Sequence, residues 1–133
     1  MEKTQFQSLL GMARSMQSLD LDRADFWRGF QRGARRAYHG EAFGTDAEHH
    51  QWMRCRDGEY RRDLQTGYRA GFYHDQLYLN TQDDLHSLRK LLGLTVDDLA
   101  EIAAVSPRTV EGWEQGRTAS DSALELIRRF LMI

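Results

Sequence analysis

Apolar residues recur at helical spacing in one segment after another, and the pattern predicts an all-α protein. From residue 3 to about 17, Phe6, Leu9, Leu10, Ala13 and Met16 mark one face of an amphipathic first helix, a face that is either core or a dimer contact. Two later segments repeat one pattern with a period of 34: FWRGFQRGARRAYHG from Phe26 and YRRDLQTGYRAGFYH from Tyr60. Phe26 aligns with Tyr60, Phe30 with Leu64, Gln31 with Gln65, Gly33 with Gly67, and Tyr38 with Phe72. Two copies are too few for a solenoid, so they predict a pair of antiparallel helices, each with glycine on its buried side to allow close approach. Residues 40–59 carry glycines and charges with no sustained period and predict a long loop with one helical turn around His49 to Met53; residues 73–82 then connect the two halves.

From Leu94 to Arg117 the pattern becomes two short helices joined by a tight turn. Thr95 is placed to cap the first, Asp98 closes a capping box three residues on, and Leu99, Ala100, Ile102 and Ala103 form its apolar face. Ser106 opens the second, with Pro107 at the first helical position, where a missing N–H costs nothing, and Gly116 at its end. Val110 and Trp113 face inward. The Ser122 to Glu125 spacing predicts a further capping box, opening a last helix through Leu124, Leu126, Ile127, Phe130 and Leu131. Its apolar end is either folded back or a dimer contact.

Thr109, Val110, Trp113, Glu114 and Gly116 spell T-V-x-x-W-E-x-G. Over about residues 83–131 the chain resembles the lambda-repressor and Cro (XRE) type of helix-turn-helix, which implies a five-helix domain that contacts double-stranded DNA. The chain then divides into an N-terminal helical region carrying the repeat, 1–78, and a helix-turn-helix domain, 79–133. By position, the resemblance assigns DNA contact to Ser106, Pro107, Arg108, Thr109, Glu111 and Gly112. Arg108 is the first choice, because its fork can take two hydrogen bonds from guanine in the major groove. Ser106 and Thr109 offer hydroxyls to phosphate or base, and Arg117 is placed for a phosphate. Glu111 faces DNA unfavourably unless it accepts from a cytosine amino group. Val96 stands where a polar phosphate-binding residue often sits, and Gly112 brings no side chain to the bases. Ala104 takes a turn position usually given to glycine, where the left-handed conformation costs on the order of 1 kcal/mol, so a slightly remodelled turn is expected. Arg89 and Glu114 match two positions that pair across the fold, implying a partly buried, structural salt bridge beside the core residues Val110 and Trp113.

Arg28, Arg32, Arg35 and Arg36 gather on one helix face opposite Phe26, Phe30, Ala34 and Ala37. That stripe is either a solvated face or a phosphate-contacting surface. The pattern QRGARRAYHG followed by RRDLQTGYRAGF, within residues 26–72, resembles the ribosome modulation factor family and implies association with ribosomal RNA.

Charge changes the picture for the C-terminal part. The net charge is −2, but from Thr81 onward six basic side chains face nine acidic ones, a local balance of −3. Phosphate neutralisation supplies much of the affinity for nucleic acid, so such a reading head needs a dimer or help from the N-terminal region. At 133 residues, 41% hydrophobic and 29% charged, the composition is that of an ordinary soluble protein, and the polar opening MEKTQFQSLL without a long apolar run points to the cytoplasm. The single cysteine, Cys55, excludes an internal disulfide. His39, His49, His50, Cys55 and His74 fit no zinc-binding spacing, and no phosphate-cradling loop, nucleophile elbow or acid pair is present. The expectation is therefore no metal, no cofactor and no catalysis. It is instead a sequence-specific DNA-binding regulator of prokaryotic or phage type, a repressor acting as a homodimer on a palindromic operator. The alternatives are an RNA- or ribosome-associated factor using the arginine helix and an antitoxin-like module for a partner protein.

Overall fold

Phe6, Leu9, Leu10 and Ala13 are the buried stripe of α1 (Lys3–Leu19), with Met16 half-buried beyond them. The computed structural model of the protein describes residues 1–54 and 59–133, with side chains described outside 59–62. Cys55 lies outside the described residues. All regular structure among the described residues is helical, and the chain separates into two units, Met1–Gln76 and Leu77–Ile133.

In the first unit α2 (Ala24–His39) buries Phe26, Trp27, Phe30 and Ala34. It lies antiparallel to α1: Phe6 stacks on Tyr38 at a centroid distance of 4.2 Å, and at the other end Trp27 Nε1 donates to Asp20 Oδ2 at 3.3 Å. α3 (Asp46–Arg54) and α4 (Glu59–Phe72) complete the unit. A Cβ on Gly29 would overlap the Leu64 carbonyl and one on Gly33 the Tyr68 carbonyl, while Cβ atoms on Gly67 and Gly71 would overlap the carbonyls of Phe26 and Phe30. Four glycines thus let two backbones touch, as only glycine permits. The contacts advance together along both helices, so α2 and α4 are parallel, not the antiparallel pair expected from the repeat.

The reason is α3, which occupies much of the segment expected to be a loop. Thr45 starts it, its Oγ1 accepting the Glu48 N–H at 3.1 Å. α3 runs antiparallel to α4, with Trp52 stacked on Tyr68 at 4.9 Å and His49 against Phe72 at 4.5 Å. It therefore carries the chain back, and α4 begins at the level where α2 began.

The second unit holds a 3₁₀ turn (Gln82–Asp84) and then α5 (Leu85–Leu92), α6 (Val96–Ala103), α7 (Pro107–Glu114) and α8 (Asp121–Leu131). Where five helices were expected the unit has four α-helices, the first led into by the 3₁₀ turn, which Thr81 and Asp84 close with a reciprocal capping box. Leu85, Leu92, Leu99, Val110, Ile127 and Leu131 are its most enclosed side chains. Two details of α8 differ from expectation. Its cap is Ser120, not Ser122: Ser120 has the extended backbone of a cap and accepts the Ala123 N–H at 3.2 Å, while Glu125 turns forward to Arg129 at 3.2 Å. Leu126, expected on the apolar face, is 40% exposed, and of the apolar end Leu131 folds into the core while Met132 stays out.

Candidate nucleic-acid interface

The turn between α6 and α7 is built from local bonds. Thr95 and Asp98 cap α6 reciprocally, at 3.1 Å from the Asp98 N–H and 2.9 Å from the Thr95 N–H. Ala104 ends the helix in the left-handed conformation, φ 57° and ψ 44°, where the Val105 N–H donates to Ala100 O at 3.0 Å and the Ala104 N–H to Glu101 O at 3.2 Å. These two bonds recover carbonyls that would otherwise be left without partners and offset the strain of an alanine there. The turn is thus kept rather than remodelled. Ser106 then caps α7, accepting the Thr109 N–H at 3.3 Å, and its hydroxyl shares a second bond with the Thr109 hydroxyl at 2.9 Å.

Val110 at 0% and Trp113 at 4% exposure anchor α7, leaving Pro107, Arg108, Thr109 and Glu111 exposed on its other side. Gly112, on the same side of α7 as Arg108, is buried beneath the side chain of Arg117. Within this unit Arg89, Arg128 and Arg129 are all paired with carboxylates, whereas Arg108 and Arg117 are exposed and have no carboxylate partner among the described residues. Val96 is half-buried at the start of α6, and Asp97 and Asp98 follow it. Those acids favour the helix through its dipole but repel phosphate.

α7 is tied to α5 by charge. Arg89 Nε donates to Glu114 Oε1 at 2.7 Å, His86 Nδ1 shares the same oxygen at 3.0 Å, and Arg89 Nη1 donates to Leu94 O at 3.2 Å. Burial pushes the Glu114 carboxyl up, but hydrogen bonds from Arg89 and His86 and their charge outweigh it and hold the group below the usual carboxylate range.

Residues 85–131 match the helix-turn-helix family model. They are a DNA-binding helix-turn-helix domain of the regulatory type. No curated protein and no solved structure matches the chain. The family match lies within the second unit, and the likeness of residues 26–72 to ribosome modulation factor finds no support in it.

Outside the helix-turn-helix domain, the arginines of α2 do not form one open stripe. Arg36 is 9% exposed and is consumed internally, donating to Asp46 Oδ1 at 2.6 Å and Gly44 O at 3.1 Å. Arg32 pairs with Glu48 and lies over the Phe43 ring, and Arg28 pairs with Asp25 at 3.0 Å. Arg35, half-buried, is the one of the four without a carboxylate partner among the described residues. Ala37, placed opposite them by helical spacing, is exposed in the last turn of α2. The partners of Arg32 and Arg36 both come from α3, so a helix hidden in the expected loop supplied the missing neutralising acids.

No group of three or more His, Cys, Asp or Glu is placed to hold a metal ion among the described residues, and no described helix is long and apolar enough to cross a membrane. The burial of Gly112 beneath Arg117 had no local sequence signal, since it depends on how the chain reverses after Gly116.

Proposed function

We propose that the helix-turn-helix domain reads a palindromic duplex DNA site as a homodimer and represses transcription by occupying it. The observation that carries this reading is the placement of Arg108 and Arg117, unneutralised and exposed, on the side of α7 opposite its buried anchors Val110 and Trp113. A desolvated acid-arginine pair does not need DNA; an arginine without a carboxylate gains from phosphate or guanine. Ser106, Thr109 and Glu111 flank them on the same exposed surface, with Pro107 fixing where the helix begins.

The local balance of −3 argues for two copies. One acidic domain releases few counterions from DNA, and a second copy doubles the contacts. Leu126 and Met132, exposed on α8 and just beyond it, are apolar surface suited to such self-association. Two recognition helices would then meet half-sites about 10 base pairs apart. The arginines of α2 offer less to a polyanion, because three are already paired with carboxylates.

The test is to mix the full-length protein with fragmented genomic DNA of its source at near-physiological salt, with total RNA in a parallel reaction, and to sequence what is retained. Enrichment of a short inverted repeat supports the reading. Retention of RNA with no DNA motif overturns it.

A further inference from the structure

Arg108 and Gly112 are four residues apart on α7 and therefore share a face, so position 112 is where the next side chain along the exposed surface would stand. It has none. The space is instead filled from elsewhere: a Cβ built on Gly112 would lie 2.9 Å from Arg117 Cδ and 3.6 Å from both its Nε and Nη1. The backbone fixes this arrangement. Gly116, at φ 98°, reverses the chain immediately after the helix, and the Arg117 N–H donates to Gly112 O at 2.9 Å, drawing residue 117 back over residue 112.

The guanidinium is thereby delivered onto the flank of α7, exposed and without a carboxylate partner among the described residues. We propose that Arg117 supplies the base-reading side chain that Gly112 lacks, making Arg108 and Arg117 a two-arginine reader of guanines within one half-site. This deepens the proposed reading and rests on it. Positions four apart on a helix are separated by about 6 Å along the axis, against about 3.4 Å per base step. The two guanines are therefore one or two base pairs apart. Glycine at 112 is then a requirement of recognition rather than of folding, because the atoms an added Cβ would meet belong to the far part of a flexible side chain.

The experiment is selection from a pool of duplexes with a randomised core, using the full-length protein and the variants R108A, R117A, R117K and G112A, each checked for its helical signal and melting. Wild type should enrich a half-site with two guanine-dependent positions. R108A should lose preference at one and R117A at the other, each by roughly tenfold. R117K should behave like R117A, since an ammonium keeps the charge without the fork. G112A should weaken the Arg117 position alone; if it melts early, R117K still carries the test. Uniform weakening by R117A with unchanged preferences, restored by R117K, would make Arg117 a phosphate contact and overturn the proposal. A wild-type protein that enriches no motif would instead remove the DNA-reading function itself, and this proposal with it.

Discussion

Arg89 and Glu114 join α5 to the recognition helix through a 2.7 Å hydrogen-bonded ion pair, with both side chains less than a fifth exposed. Such a pair is worth less than its breakage costs, because removing one partner leaves the other charge in a poorly hydrated place. Arg89→Met should therefore destabilise the helix-turn-helix domain by about 2–3 kcal/mol, below the range for a fully buried pair. The double variant Arg89→Met with Glu114→Leu should recover part of that loss. Urea unfolding of the single and double variants checks this, and a double variant less stable than either single one would contradict it.

The same pair sets an acid limit. The folded Glu114 carboxyl titrates below its unfolded value of 4.5, so the folded state holds fewer protons than the unfolded one between the two values. Its contribution is fully present above 4.5 and is lost as the pH falls through the lower, folded value. Replacing Glu114 with Gln should lower stability at neutral pH and flatten its fall in acid. Melting temperatures measured from neutral pH down to about 3 test both parts.

Where α2 meets α4 the expected cost is larger. Alanine at Gly33 or Gly67 would drive a Cβ into the Tyr68 or Phe26 carbonyl, which are backbone atoms with no rotamer to yield. Each substitution should cost on the order of 3 kcal/mol or more. Gly11, on the exposed side of α1 with nothing within 4 Å of its Cβ position, is the internal control. Gly11→Ala should stabilise by roughly 0.5–1 kcal/mol, because it narrows the unfolded ensemble without a clash. Thermal melts of the three variants should separate in that order.

These glycines show where the sequence is readable and where it is not. Gly33 and Gly67 stand at equivalent places in the repeat, so close approach follows from the pattern, yet the direction of approach depends on α3. That helix buries no residue fully, and its weak apolar face left only a short turn visible in the periodicity. Its start was nevertheless marked by Thr45, a cap signal within a glycine-rich stretch. Local grammar was legible where one answer satisfied it, as at Thr95 and Ser106. At α8 the Ser122 to Glu125 spacing pointed two residues too far on: Ser120 takes the cap, directly after the buried Ala119. Gly112 was legible as a missing side chain, but its replacement by Arg117 was not, since it arises from a chain reversal five residues on.

His49 and Tyr68 carry a last prediction, at alkaline pH. Their 2.7 Å contact joins a histidine and a phenol that is 2% exposed. Burial, then the charges of Arg36 and His50, lower the His49 pKa against the pull of Asp46, so the neutral ring is favoured and can accept the phenol's hydrogen. Burial, opposed in part by Arg36, pushes the Tyr68 hydroxyl up from 10.0 to about 12. The folded state therefore keeps a proton that the unfolded state loses. Stability from this group is fully present below 10.0 and is lost as the pH rises through about 12. Tyr68→Phe should cost about 1 kcal/mol near neutral pH, through the lost hydrogen bond. Above 10.0 it should also remove the part of the alkaline destabilisation that belongs to this phenol. Far-ultraviolet melts of both proteins across that range measure the difference, and parallel curves would show that Tyr68 ionises as freely in the folded protein as in the unfolded chain.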